Sequence, residues 1–494
     1  MSYYTSETSR YGSGYGVEIP SRIEPGEVRE YVAEVFYPHF LGTKTVNDEI
    51  KRWSSGQQPD YLLDPDATSE KRALLALAKT PWVGLVVDSF TQCLYVDGYR
   101  SEGSKTNIPG PWRTWNANGM QARQVGIHRA AFTYGYSYAS VLAGTALDGK
   151  DQAVLRGWSP RRCLALYEDN VADDWAKYAL VLLQDGKTLR FFDDERWYDV
   201  PMPSAGDFPA DLPVKQVYHG TGVVPIVRYL NTMDLDGKVL GEVEKLLPVA
   251  SRIDKTLYDR LLSQHYNSWK IITATGLDEL TADASDVDRE DAEYELSQNR
   301  RVLATGNPDA KFGVIPETAL DPFVNAFESD IATLESVAQL PPSWSSRLVN
   351  LSADALAAAR AATTQKLFER KVNFGASHNQ LMRLAAHLEG DESSASDYEA
   401  TVTWADTEVR SLSQVVDAWG KAAQMLGVPK WATWMKIPGV TEDEARMWWQ
   451  NLLEDSPEAE FLRYYGNSAS ANGNPNPDSP SVSDAPVEDS SPTD

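Results

Sequence analysis

The chain has 494 residues, 42 % of them hydrophobic, and a formal charge of −25. Its length predicts about three domains by the soft rule of roughly 150 residues each, with ample apolar content for large cores. No apolar run approaches the ~20 residues of a bilayer span, and the acidity argues against a tight non-specific binder of nucleic acid, which needs Lys and Arg to displace counterions from phosphate.

Met1 to Gly16 is rich in Ser, Tyr and Gly and lacks a basic stretch followed by an apolar one, so it reads as a mobile arm and not a signal peptide. An amphipathic helix is expected over Glu27–Phe36, a second over Ser69–Tyr95 with a break near Pro81, and a third over Asn118–Tyr134 with Asn118 as N-cap. The period then changes to two. Ser137–Leu142 and Ala153–Trp158 flank a turn containing Asp148-Gly149 and read as a hairpin. Tyr178–Leu183 and Thr188–Phe192 form a second around Asp185-Gly186, and strands are expected at Gln216–His219 and Val224–Tyr229. Cys93 and Cys163 sit among apolar neighbours and read as two unpaired buried thiols in a reducing compartment.

From Gly241 to Gln264 the pattern is helical, with Val243, Leu246, Leu247, Ala250, Ile253, Leu257 and Leu261 on one stripe, and Pro248 predicts a kink or a start near Leu247. Arg252, Lys255, Asp259 and Arg260 read either as a solvated face or as a track for DNA. Two strand-like pieces, Lys270–Thr273 and Arg301–Leu303, bracket an acidic run containing Asp283, Asp286, Asp288, Glu290, Asp291, Glu293 and Glu295. Asp321-Pro322 opens a helix carrying Phe323, Phe327, Ile331, Leu334 and Ala338 on one face, and Pro341-Pro342 stops it. After Ser343-Trp344-Ser345-Ser346-Arg347 comes a run of helix formers from Ala353 to Leu388, which could reach roughly 55 Å. Thr401–Trp404 reads as a strand. Helices follow, with Val415, Trp419, Ala422 and Leu426 on one face and Ala445, Trp448, Trp449 and Leu452 on another. From Asn467 to Asp494 there is no Lys or Arg and little apolar surface, so disorder is expected.

Catalytic motifs are sparse. Asp185-Gly186-Lys187-Thr188 has Val181 where a phosphate loop needs Gly, and it lies between strands. Gly135-Tyr136-Ser137-Tyr138-Ala139 resembles a nucleophile elbow, but a helix precedes it and a strand follows, the reverse of what an elbow needs. The six histidines lack metal-ligand spacing, and the acidic run lacks a calcium loop's Gly. The expectation is no enzyme, no metal and no cofactor. A serine hydrolase using Ser137 remains a third-ranked alternative, behind a multimeric scaffold without a channel.

Asn350-Leu351-Ser352-Ala353-Asp354-Ala355-Leu356, Lys371-Val372-Asn373-Phe374-Gly375 and Met382-Arg383-Leu384-Ala385 resemble the portal proteins of tailed bacteriophages, especially siphophages infecting actinobacteria. Further fragments are similar in the same order: Ile50 to Pro59, Trp115 to Asn118 with Ala130 to Tyr138, Ser251 to Leu261, and Ala274-Thr275-Gly276. The resemblance covers roughly residues 45–455. It implies a helix-rich α+β portal architecture of wing, stem, clip and crown, with long helices around a central channel. Mapped on this chain, that gives an arm (1–24), a wing (25–235), stem helix 1 (236–266), a clip (267–319), stem helix 2 (320–339), a tunnel loop (340–350), a long helix (351–396), a crown (397–465) and an acidic tail (466–494).

The implied function is a ring, expected as a homododecamer, at one capsid vertex of the virion, assembled in the host cytoplasm. Implied partners are the major capsid and scaffolding proteins, the terminase large subunit, head–tail adaptors, and double-stranded DNA passing through without sequence specificity. Ser343, Trp344, Ser345, Ser346 and Arg347 are the candidate tunnel-loop residues. Trp344 either packs on a neighbouring subunit or faces the lumen, and Arg347 is the only charge between Glu335 and Asp354. Asp286, Asp288, Glu290, Asp291 and Glu293 either offer a docking face to a basic adaptor or form a solvated loop. The overall acidity fits a conduit that must not hold DNA and equally fits a surface kept soluble.

Overall fold

Val28, Val32, Phe36 and Phe40 recur every fourth residue, a spacing that drifts off one face of a regular α-helix. Helix α1 (Val28–Tyr31) passes through a π turn at Val32–Phe36 into α2 (Tyr37–Ser54), and the wider turn keeps all four side chains buried. The helix expected over Glu27–Phe36 therefore continues to Ser54. The computed structural model describes residues 19–60, 63, 66–104, 106–145, 149, 151–267, 272–275, 311–314, 318–341, 353–405, 412–434, 437, 440 and 442–454. The chain divides into two compact units, Met1–Thr407 and Glu408–Asp494.

Ser69 to Thr91 is apolar enough overall for a membrane crossing. The chain breaks it in two, α3 (Ser69–Ala78) and α4 (Trp82–Thr91), because Lys79 is extended and Pro81 caps α4. Each piece spans about 15 Å, half a bilayer core. The helix read over Asn118–Tyr134 is α6 (Met120–Tyr134), and a helix not read from the sequence, α5 (Pro109–Ala117), precedes it, the two separated by Gly119 at a φ of +59°. Asn118 is thus not the N-cap of α6; it ends α5. Its amide bridges the last turn of α5 to residues 153–155, donating to Thr114 O and Ala153 O, and its Oδ1 accepts from Leu155 N.

Both hairpins are present. β2 (Tyr136–Thr145) pairs with β3 (Asp151–Trp158) and with β9 (Ile226–Leu230), giving the order β3-β2-β9. A second antiparallel sheet runs β4 (Cys163–Leu166), β5 (Tyr178–Leu182), β6 (Thr188–Phe192), β7 (Arg196–Pro201), β8 (Lys215–Tyr218). The layers follow from side-chain alternation. Leu164, Leu180, Phe191 and Tyr198 face α1 and α2, while Ala165, Val181 and Phe192 face Tyr136, Tyr138 and Ile226 of the other sheet. The reverse side of that second layer, Ala139, Val141, Leu155 and Tyr229, forms the largest core with the helices. β4 escapes sequence reading because all four residues are buried and show no alternation. The strand expected at Thr401–Trp404 (β12) is present and pairs antiparallel with β1 (Val96–Arg100), about 300 residues earlier.

Among the described residues the first unit has four further helices: α7 (Glu242–Asn267), α8 (Asp321–Ala338), α9 (Ala353–Leu388) and α10 (Glu392–Ala395). α7 neither starts at nor stops for Pro248; it runs through it. A short ladder, β10 (Ile272–Thr275) against β11 (Lys311–Val314), lies between α7 and α8, and the strand read at Arg301–Leu303 lies outside the described residues. In the second unit α11 (Leu412–Leu426) is followed by α12 (Lys430–Trp434) and α13 (Glu442–Glu454), and the last two meet through Trp434, whose ring contacts Trp448 and Trp449. Val415 and Ala445 are buried there, whereas Met425, Leu426 and Leu452 stay exposed.

The C-terminal half of α9 is seated in the main core by a chain of neutral rings. His128 Nδ1 lies 3.3 Å from Leu94 O, His128 Nε2 lies 2.8 Å from His378 Nε2, and His378 Nδ1 lies 3.0 Å from Tyr229 OH. These partners assign the protons: His128 donates from Nδ1, His378 donates from Nε2, and the Tyr229 hydroxyl donates to His378 Nδ1. Phe374 stacks on His128, and Trp115 meets His378 edge-on. Burial pushes His128 down to about 4 despite its carbonyl partner, and burial together with His128 pushes His378 down as well. In the unfolded chain both rings take up protons near pH 6.5. Stability is therefore full above that pH and falls as pH drops toward 4, by about 3 kcal/mol for His128 alone. Urea midpoints measured from pH 7 to pH 4.5 should decline steeply, and His128→Gln/His378→Gln should flatten that slope.

Candidate functional site: a polar clamp on three helices

α7 and α8 run antiparallel, because their opposite ends meet at two places. At one end Asn267 exchanges two hydrogen bonds with the Thr318 backbone, at 2.8 and 3.3 Å, just before α8 begins. Between them Val243, Leu246, Ala250 and Ile253 of α7 share a core with Ile331, Leu334 and Ala338 of α8. Asp330 accepts from Thr256 at 3.3 Å and pairs with Arg252 at 3.5 Å. Lys255 pairs with Asp259 on the exposed side. Arg252, Lys255 and Asp259 thus have local partners.

At the other end the first residue of α7, Glu242, is 2 % exposed. Lys366 Nζ of α9 donates to Glu242 Oε2 at 2.7 Å and to Ala338 O, the last residue of α8, at 2.9 Å. Asn231 Nδ2 donates to Glu242 Oε1 at 3.0 Å, and Arg370 Nη2 reaches the same oxygen at 3.4 Å. Lys366 also lies 4.3 Å from the centre of the Phe90 ring, and Thr363 Oγ1 donates to Gln339 O at 2.6 Å. The charges suit the helix ends: an anion at the positive N-terminus of α7 and a cation at the negative C-terminus of α8. Burial raises the Glu242 carboxyl, but Lys366, Lys245 and the bonds from Lys366 and Asn231 leave it below its ordinary value. Burial lowers the Lys366 ammonium, and the pull of Glu242 only partly opposes that.

This clamp fixes the origin of the segment between α8 and α9. α8 ends with Gln339 at a φ of +60°, so the stop comes before Pro341. The candidate loop residues Ser343, Trp344, Ser345, Ser346 and Arg347 lie outside the described residues, as do Asp286, Asp288, Glu290, Asp291 and Glu293. The structure instead gives their frames: the clamp at one loop, and the β10–β11 ladder with the Asn267–Thr318 staple at the base of the acidic insert. Glu242, Lys366 and Arg370 were not read from the sequence as site residues. Their one local signal is Lys366 and Arg370 four apart on a helix, a pattern common on solvated faces.

Ser137 is buried in β2 and donates to Ile127 O at 2.8 Å. Cys93 and Cys163 are both free thiols, pushed up by burial. Among the described residues no cluster of His, Cys, Asp or Glu could hold a metal ion.

The profile of the family described as "Phage portal protein, SPP1 Gp6-like" matches residues 39–458. The portal protein of Mycobacterium phage L5 is 22 % identical over 411 residues, covering 80 % of this chain and 81 % of that protein. A chain in the neck of a native gene transfer agent particle, solved with C12 symmetry, has a TM-score of 0.43 at 10 % identity and covers 79 % of this chain and 93 % of its own. A chain in the virion of a native gene transfer agent particle gives 0.43 at 12 % identity, covering 74 % and 94 %.

Removing the anion should be the costliest change at the clamp, because it leaves Lys366 buried without an anion and takes from Arg370 one of its two carboxylate partners, the other being Glu369. Glu242→Gln should lower the unfolding free energy by about 3 kcal/mol or more. Glu242→Gln/Lys366→Met, which removes both charges, should recover much of that loss. Chemical denaturation of the two variants checks both outcomes.

Proposed function

We infer the function from one premise: this chain belongs to the phage portal protein family, SPP1 Gp6-like. We propose that it forms a ring, a homododecamer, at one capsid vertex of the virion. The ring conducts double-stranded DNA during packaging and ejection. The observation that carries the reading is the match over residues 39–458, which takes in the whole antiparallel pair α7–α8 and the long helix α9. In this reading α7 and α8 are the stem, and residues 340–350 form the tunnel loop, with Arg347 its charge toward phosphate. The acidic insert, with Asp286, Asp288, Glu290, Asp291 and Glu293, is the clip that meets the terminase large subunit and then the head–tail adaptors. The two-sheet region is the wing, set against the capsid and scaffolding proteins, and the helices after Glu408 belong to the crown.

One physical feature supports a ring, and another sets the conditions for it. Val324 and Val337 of α8 and Phe368 and Val372 of α9 are large apolar side chains left exposed in the isolated chain, as expected of a face completed by a neighbour. Phe368 and Val372 are four residues apart and share one stripe. The chain's charge of −25 opposes association, so assembly should strengthen with salt or magnesium, which shorten that repulsion. Repulsion of the same sign also keeps DNA from adhering to a conduit.

Negative-stain class averages at moderate salt with magnesium should show rings with a central hole and radial blades, and their count gives the stoichiometry. Phe368→Asp/Val372→Asp should leave folded monomers under the same conditions. Closed discs without a hole would favour a scaffold lacking a channel. Arg347→Ala should slow packaging, and an unchanged rate and yield would remove that residue's role.

A further inference from the structure

β3 is an edge strand, and its outer edge is only partly satisfied. Ala153 N donates to Glu389 Oε1 at 2.8 Å, Ala153 O accepts from Asn118 at 2.8 Å, and Leu155 N donates to Asn118 Oδ1 at 2.9 Å. These bonds show that residues 153 and 155 turn their backbone groups away from β2. By the two-residue period, the Leu155 carbonyl and both Gly157 backbone groups face the same way. There the edge borders a cleft of about 640 Å³ against α6, with Gly126, Ile127 and Ala130 on the helix side. Gly157 is exposed, and a Cβ on it would come within 2.7 Å of Ile127 Cγ1, so α6 leaves no room for a side chain at this point of the strand.

The charge around this edge reverses the sign of the chain. Arg123 stands exposed on α6 at the cleft, and Arg156 lies 4.0 Å from the centre of the Trp158 ring. Neither has a carboxylate partner among the described residues. Arg162 donates to Leu182 O at 2.9 Å, and Arg190 is held by Asp199 at 2.7 Å. Burial, then Arg162, Arg190 and Arg123, hold the Arg156 guanidinium below its ordinary value, which places the four in one electrostatic neighbourhood.

We propose that the β3 edge at Leu155–Gly157 takes up an extended acidic segment of a partner polypeptide as an added strand. Its backbone pairs with Leu155 O and Gly157. Its alternate carboxylates meet Arg123 on one face and Arg156 on the other. A bare strand edge offers both donors and acceptors, which another backbone matches. A duplex offers only acceptors at its phosphates, and it would leave the two carbonyls without partners. This inference does not depend on the channel reading.

The test is fluorescence anisotropy of the full chain with a labelled peptide of about ten residues that repeats Glu-Glu-Val-Val, so that neighbouring carboxylates fall on both faces of the added strand. Two further versions are N-methylated, each on one alternate set of amides, and a short DNA duplex is the fourth probe. The Glu/Val peptide should bind, and methylation of one set should weaken it by about tenfold or more while the other set is tolerated, because only one set faces the edge. Arg123→Glu and Arg156→Glu, exposed or half-exposed positions whose variants should keep wild-type melting, should each weaken binding by a similar factor. Equal binding of both methylated peptides would reduce the site to charge attraction and overturn the proposal. So would a duplex that binds where the peptide does not, or self-association lost in the arginine variants without any peptide binding.

Discussion

A lysine ammonium is stable in a protein interior only if an anion and correctly aimed acceptors replace its water. Lys366 finds both, in the Glu242 carboxylate and the Ala338 carbonyl, and those groups belong to two different helices. The bond therefore works as a coordinate. It sets where α7 begins relative to where α8 ends, and both relative to one turn of α9. Apolar packing alone would let three helices slide by a fraction of a turn at small cost, whereas a displaced Glu242 strands the buried Lys366 and leaves Arg370 with Glu369 alone. Asn231 then ties the same carboxylate to the residue that follows β9, carrying the registration into the sheets.

α9 carries two polar devices on one winding seam: Lys366, Arg370, Phe374, His378 and Met382 recur every four residues, turn round the helix by about 40° at each step, and are all buried. They solve opposite problems. At Lys366 charge is kept and matched; at His378 charge is expelled, and a fixed order of donors and acceptors passes from Tyr229 through two imidazoles to the Leu94 carbonyl. Between them Phe374 stacks on His128. One end of the seam is sensitive to the loss of a carboxylate, the other to the gain of a proton.

Much of this architecture was legible because local chemistry announces it. Pro341 and the helix formers after Ala353 marked the break and the long helix, and alternating residues around Asp185-Gly186 marked a hairpin. What escaped depends on partners distant in the chain. β1 is five residues with an internal Gly98, and it becomes a strand by pairing with Thr401–Trp404. Asn118 looks like an N-cap by type, yet its amide serves β3. The clamp is invisible because a lysine and an arginine four apart on a helix read as surface charge until Glu242, over 120 residues away, is brought beneath them. His128 and His378 show no ligand spacing because their partner is each other.

The burial along α9 is uneven in a way that has a mechanical meaning. From Phe374 to Ala386 most of its side chains are enclosed, whereas Arg360, Ala361 and Ala362 are exposed. The helix is a beam built into the core over its C-terminal half and supported again at Lys366, with Arg360, Ala361 and Ala362 outside the core beyond that second support. A beam with two supports resists tilting far better than one gripped at a single place. The clamp thus stiffens the turn of α9 that faces the ends of α7 and α8, as well as registering it.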